Sequence, residues 1–264
     1  MSTCPRDPGL DLHQLRGLLT PRHTANLVAA ITDHLTTHTG FVAFSGGKDS
    51  LTVLHLTRQA NPDVPVCFYD SHFEFPETYD YIADLTDAWN LNLTVIPARH
   101  STLDILTANT TWDHNAPPPT QRVPDLFTTL IAEPAAAAHA RFGPGLLWGL
   151  RSQESAGRRA MFGRHRHTST TGGVVHRSDG TTSFSPIWDW TGDHIWAHIS
   201  RHNLPINPLY AKLERLGMPP HLTRVCEVLD ATNLERGRLV WLKRGWPSLF
   251  EQLADALPRI TEYA

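Results

Sequence analysis

The 264-residue sequence predicts an α/β fold, a parallel twisted sheet with helices on both faces and a helical C-terminal extension. Three observations carry that expectation. Short apolar runs alternate with stretches of helical period between Phe41 and Pro97, and the joints between them are short. The first run, Phe41-Val-Ala-Phe44, leads into Ser45-Gly46-Gly47-Lys48-Asp49-Ser50, a strand-turn-helix junction. The alternation then resumes after a proline-rich interruption, as one sheet does when a long loop interrupts it.

Residues 11–38 carry Leu15, Leu18 and Leu19, then Leu27, Ala30, Ile31 and Leu35, at helical spacing. Pro21 breaks the run into two helices. A βαβαβ series follows, with strand 41–44, helix 48–60, strand 65–70, helix 76–90 and strand 92–97. Leu51, Val53, Leu54 and Leu56 mark the apolar stripe of its first helix, and Pro76 with Glu77 starts the second. Residues 107–124, with Trp112 and prolines 117–119, have no period and read as a surface loop or lid.

A helix at 125–141 and a strand at 145–150 resume the alternation. Apolar period is lost again from Arg151 to Thr171. Val174–His176 and Ser183–Ser185 flank Ser-Asp-Gly, which predicts a short hairpin. Thr191 caps a helix reaching His202, and the tail carries further helices, the last starting near Pro247 and Ser248. The divisions expected are N-terminal helices at 1–40, a main domain at 41–210 and a helical extension at 211–264.

A net charge of -3 and a pI near 6.6 give no global reason to expect a nucleic-acid or membrane partner. No apolar stretch is long enough to span a bilayer, and the residues from Met1 to Asp7 lack a secretory pattern, so a cytoplasmic protein is expected. Three widely spaced cysteines, Cys4, Cys67 and Cys226, form neither a disulfide framework nor a Cys-x-x-Cys motif. Cys67, inside an apolar run, is expected to be a core thiol.

Chemistry concentrates at the first loop. Gly46 and Gly47 free the backbone to turn, so that amides, helix dipole and Lys48 favour several negative charges at one spot. Ser45 and Ser50 are hydroxyl donors to phosphate oxygens, and Asp49 suits a bridging magnesium ion. The spacing is too short for the common G-x-x-x-x-G-K-[ST] loop. Instead Ser-Gly-Gly-Lys-Asp-Ser resembles the signature of the PP-loop ATP pyrophosphatases. That resemblance implies an adenine nucleotide α-hydrolase-like sheet over residues 41–210, with ATP and Mg2+ bound. It also implies attack on the α-phosphate with pyrophosphate leaving.

Two further segments narrow the resemblance. Asp70-Ser-His-Phe-Glu-Phe-Pro-Glu-Thr78 resembles the phosphoadenosine phosphosulfate reductase family and the small subunit of ATP sulfurylase, which makes Asp70 a site candidate. Where that family commonly has Asp-Thr-Gly, this chain has Asp70-Ser71-His72. Gly149-Leu-Arg-Ser-Gln-Glu-Ser-Ala-Gly-Arg158 resembles the family's Gly-x-Arg-x-x-Glu-Ser-x-x-Arg pattern. Arg151 and Arg158 then become oxyanion ligands and Glu154 orients one of them. Ser185–Trp196 and Asn203–Tyr210 resemble the family's Pro-Ile/Leu-x-x-Trp-Thr and Pro-Leu-Tyr stretches, and Trp190, Trp196 and Ile199 read as packing.

Against the reductases, the Glu-Cys-Gly-like motif near their C-terminus has no counterpart in the sequence, and Cys226, in Arg224-Val-Cys-Glu-Val228, is expected on an apolar helical face. The expected function is therefore an ATP pyrophosphatase or adenylyltransferase of sulfur metabolism. Sulfur incorporation such as DNA phosphorothioation, with a cysteine desulfurase or sulfur-carrier partner, falls within it. The alternatives are a thiol-dependent phosphoadenosine phosphosulfate reductase using Cys226, and an ATP-binding regulatory module without turnover. The cationic stretch Arg158–Arg177 suits a triphosphate, an acidic partner or a nucleic-acid backbone, read first as a flexible solvated loop. His165 and His167 fall short of a metal site. A homodimer is compatible with all of these readings.

Overall fold

A computed structural model describes residues 21–109, 125–165, 172–219, 223–226, 228 and 238–264. The helix expected before Pro21, most of the 107–124 loop, and His167 lie outside them. The first half follows the expected order: α1 (Pro21–Thr37), β1 (Gly40–Ala43), α2 (Lys48–Ala60), β2 (Val66–Asp70), α3 (Pro76–Trp89), β3 (Leu93–Pro97). Asn90, left-handed at φ 48°, ends α3 with its amide on the carbonyls of Asp87 and Thr86.

The second half carries α4 (Thr102–Asn109), α5 (Glu133–Phe142), β4 (Gly145–Leu147), α6 (Ala156–Arg164), β5 (Val174–His176) and β6 (Thr182–Phe184). Then come α7 (Gly192–His202), α8 (Leu209–Arg215), α9 (Arg238–Gly245) and α10 (Pro247–Ala256). Among the described residues the sheet has six strands in the order β3-β2-β1-β4-β6-β5, all neighbours parallel except the β5–β6 hairpin. From β1 the chain winds one way through β2 and β3, then returns on the other side through β4. The switch point therefore lies between the carboxyl ends of β1 and β4, where open α/β sheets place their ligands.

Several expectations need correction. β4 stops at Leu147 instead of residue 150, because the chain must pass the first turn of α2, and Gly149 lies directly against the backbone of Asp49 and Ser50. Residues 151–164 are not a loop. A 3-10 turn at Ser152–Glu154 leads into α6, whose first turn is capped by Ser155 Oγ accepting from the Arg158 amide at 3.1 Å. With Phe162 its one fully buried residue, α6 shows no apolar period. Cys226 lies in a non-helical segment, not on a helical face.

α4 went unread in the sequence, although Ser101 and Asp104 form its reciprocal start: Ser101 N–H donates to Asp104 Oδ2 at 3.1 Å and Asp104 N–H to Ser101 Oγ at 3.0 Å. The expected helix at 125–141 is present but opens with a π turn at Thr128–Ala132, in which the Glu133 amide reaches Thr128 O. Pro134 has no amide to continue the ordinary ladder, and the wider turn absorbs the missing bond.

Val42, Phe44, Leu51, Leu54, Val66 and Phe68 share one core with Leu239, Leu242, Trp246, Phe250 and Leu253 of the C-terminal helices. Each such side chain contributes about 1.5–3 kcal/mol by leaving water. Glu77 at the start of α3 anchors that packing, accepting from Lys212 Nζ at 2.6 Å and from Trp246 Nε1 at 2.8 Å. Burial pushes its carboxyl up, but these hydrogen bonds outweigh it and hold the group below its usual range. Cys67 is fully buried and its thiol is pushed up to about 12 by burial, as a core thiol should be.

Candidate functional site

The loop between β1 and α2 turns through Gly46, at φ 73°, a conformation that suits glycine. A Cβ there would lie 3.3 Å from Thr78 Cγ2, so the turn sits tightly on α3. Ser50 ties the loop to itself: its Oγ donates to Gly47 O at 3.0 Å, accepts from the Ser45 amide at 3.2 Å, and lies 3.2 Å from Ser45 Oγ. The two serines expected to face phosphate therefore also shape the turn.

Asp49 stands at the centre of the site. Its Oδ2 accepts from Lys48 Nζ at 2.6 Å and its Oδ1 from Arg151 Nε at 2.6 Å. Lys48 and Arg151, far apart in sequence, thus meet on one carboxylate at the switch point. Arg151 is 7 % exposed and also donates through Nη1 to Trp190 O at 3.3 Å. Burial of this kind holds the guanidinium in place only while Asp49 is charged.

The segment after β4 supplies the rest. Glu154 Oε2 accepts from the Arg151 amide at 2.8 Å and pairs with Arg158 Nη1, and its Oε1 lies 3.9 Å from Arg151 Nη2. The acid expected to orient one arginine therefore touches both. Gly149 lets this segment reach α2, since a Cβ there would stand 2.7 Å from Asp49 C and from Ser50 N. Lys48, Asp49, Gly149, Arg151, Glu154 and Arg158 form one continuous cluster, with Ser45, Gly46, Gly47 and Ser50 at its base.

Asp70 stands apart from it. Its Oδ1 accepts from the His72 amide at 2.9 Å and from Tyr79 OH at 2.7 Å, closing the turn after β2. His72 adopts φ 57°, so the place where the resembling family commonly has glycine is a left-handed position in this chain. His72 Nε2 lies 3.1 Å from Ala98 O, a contact that holds the ring.

Two residues in the site were missed by sequence reasoning. Tyr210, given no role of its own in the sequence beyond the Pro-Leu-Tyr likeness, places its hydroxyl on the Lys48 amide at 2.9 Å. Val225 packs its Cγ2 3.6 Å from where a Cβ of Gly47 would be, and its carbonyl accepts from Thr78 Oγ1 at 2.6 Å. Half-buried Cys226, next to Val225, is thereby carried to the edge of the Gly46–Gly47 turn. The helical face expected here is absent, and only the fold reveals the approach.

Among the described residues no group of three or more His, Cys, Asp or Glu side chains is arranged to hold a metal ion. No helix among them is long and apolar enough to cross a membrane.

Residues 39–221 match the family model described as the phosphoadenosine phosphosulfate reductase domain. The chain belongs to that family. Its relatives include the phosphoadenosine 5'-phosphosulfate reductase of Xylella fastidiosa strain M12, 31% identical over 213 residues, covering 80% of this chain and 83% of the relative. The enzyme of the same name from Xanthomonas euvesicatoria is 28% identical over 210 residues, 76% of this chain and 77% of the relative. Among solved structures, a Candida auris phosphoadenylyl-sulfate reductase in a phosphate complex aligns with TM-score 0.48 at 19% identity, covering 73% of this chain and 92% of that one. A Campylobacter jejuni NH3-dependent NAD synthetase aligns with TM-score 0.44 at 15% identity over 96% of each chain. Of the segments that resemble this family in the sequence, Gly149–Arg158 packs on the Ser45–Ser50 turn, whereas Asp70 closes a turn of its own.

Proposed function

We propose that the protein is a PP-loop ATP pyrophosphatase or adenylyltransferase that cleaves the α–β bond of ATP in sulfur metabolism. The observation that carries this reading is the bridging of Lys48 and Arg151 by Asp49 at the sheet's switch point. On nucleotide binding, Lys48 Nζ and the Arg151 guanidinium exchange Asp49 for oxygens of the β- and γ-phosphates, and Arg158, paired with Glu154, adds its guanidinium at the far side. The Gly46–Gly47 turn and the first amides of α2 cradle the same oxygens. An acceptor oxygen attacks the α-phosphorus, the bond to the bridging oxygen breaks, and its electron pair leaves with pyrophosphate. With water as acceptor the products are AMP and pyrophosphate.

Magnesium fits the same residues. Asp49 is one carboxylate without a surrounding protein cage, which matches an ion held chiefly through phosphate oxygens. When bound, that ion neutralises charge on the leaving group. Family membership supports an acceptor in sulfur chemistry, and the reading extends to sulfur insertion into nucleic acid with a cysteine desulfurase or sulfur-carrier partner.

A second reading, reduction of phosphoadenosine phosphosulfate by Cys226, is favoured by the names of the relatives and by the position of that thiol beside the phosphate loop. One experiment separates the two. Incubation with ATP and Mg2+ is expected to yield AMP and pyrophosphate, lost in Lys48→Ala and Asp49→Ala and retained in Cys226→Ser. Appearance of ADP and phosphate overturns the first reading, and sulfite release from phosphoadenosine phosphosulfate with a dithiol as reductant, oxidised to its disulfide, that vanishes in Cys226→Ser establishes the second.

A further inference from the structure

Tyr210 is 9 % exposed, and its hydroxyl oxygen accepts from the Lys48 amide at 2.9 Å. That amide is the first of α2, one of the donors that a helix leaves for an anion. A phenol that accepts still has a proton to give, and among the described residues this one has no acceptor. The same hydroxyl stands 3.7 Å from the Cβ position of Gly47, so it lies at the surface of the loop that the functional reading assigns to phosphate.

The ring is held where it is. Trp196 packs edge-on against it, with ring centroids 5.5 Å apart and planes at 79°. The start of α8 is fixed by Asn207, whose Oδ1 accepts from the Leu209 amide at 2.9 Å and whose Nδ2 donates to Thr78 Oγ1 at 3.1 Å. Thr78 in turn touches Gly46, so the ring and the loop share one support. Burial and the nearby Asp49 carboxylate hold the phenol well above its ordinary range, so it stays a neutral donor.

We propose that Tyr210 is a phosphate-binding residue, its hydroxyl bridging the Lys48 amide to an oxygen of the bound pyrophosphoryl group. The inference rests on the phosphate-loop reading. A carbonyl oxygen would satisfy the amide equally well but would repel an anion, whereas a hydroxyl accepts from one side and donates to the other. The Lys48 amide contacts this hydroxyl, and the ionisable groups of Asp49, Tyr81 and Cys226 lie near enough to act on it.

Calorimetric titration of the full chain with inorganic pyrophosphate, and separately with adenosine, tests it. Tyr210→Phe is expected to weaken pyrophosphate binding about tenfold or more, the loss of one hydrogen bond to a charged group. Adenosine binding and the melting temperature should hardly move. Wild-type affinity for pyrophosphate in Tyr210→Phe overturns the proposal. If the wild-type chain itself fails to bind pyrophosphate, the phosphate-loop reading falls and takes the proposal with it. Should Tyr210→Phe melt far below wild type, 3-fluorotyrosine at position 210 preserves shape while ionising at lower pH. Pyrophosphate affinity must then be lost at lower pH than in the wild type, and an unchanged profile refutes the bridge.

Discussion

Gly149 lies against the first turn of α2 so closely that a Cβ would stand 2.7 Å from the carbonyl carbon of Asp49. Both neighbours there are backbone, so neither can rotate away. Gly149→Ala must push α2 and the post-β4 segment apart, separating Asp49 from Arg151. The expected cost is about 1–3 kcal/mol of stability, seen as a lower melting temperature, together with loss of ATP binding. An alanine variant that binds ATP like wild type contradicts the tight junction.

Asp49 and Lys48 should behave differently when removed. Asp49→Ala leaves buried Arg151 only the longer 3.9 Å approach of Glu154, a loss of about 3 kcal/mol, the lower end for a buried pair deprived of one partner. Lys48 is more exposed, and Lys48→Ala leaves Asp49 still paired with Arg151, so stability should be near wild type. Urea midpoints measured side by side check the contrast, and equal destabilisation by the two substitutions would contradict the bridge.

The far end of α2 predicts a pH dependence. His55 Nδ1 lies 3.0 Å from His198 Nε2, and His202 stacks within 4.7 Å of one ring and 4.5 Å of the other, beside a cavity of about 300 Å3 lined by His55, Arg58, Ala88 and Trp89. Burial first, then neighbouring histidines and Arg58 or Arg201, lower His55 to about 4 and His198 to about 3. The unfolded chain titrates these groups near 6.5, so it binds protons first as pH falls. Their contribution is fully present above about 6.5 and drains away toward 4 and then 3. Melting temperature should drop across that window, and the double change His55→Gln with His198→Gln should flatten the drop. An unaltered slope in the double variant would refute the assignment.

The thiols should separate cleanly. Cys67, buried with its thiol pushed up to about 12, should resist a disulfide reagent until the chain unfolds, whereas half-buried Cys226 should react in the native state. In a Cys4→Ser background, inorganic pyrophosphate should slow labelling at Cys226, because Val225 packs on Gly47. Labelling of Cys67 ahead of Cys226 would contradict the fold.

The sequence by itself determined the alternation of strands and helices and the strand-turn-helix junction at Ser45–Ser50, because local period and glycine turns are properties of neighbouring residues. It also determined the family, through the Asp70–Thr78 and Gly149–Arg158 segments together. α6 escaped reading because one buried residue, Phe162, makes no stripe, and β4 ended early for a reason that lies in α2. Only the tertiary structure decided that Asp49 joins Lys48 to Arg151, that Asp70 closes its own turn, and that Tyr210 and Val225 reach the loop. These contacts span up to about two thirds of the chain, and their geometry depends on how the β1–β4 switch and the C-terminal packing bring distant backbones together. No local pattern encodes such distances; the shared core does.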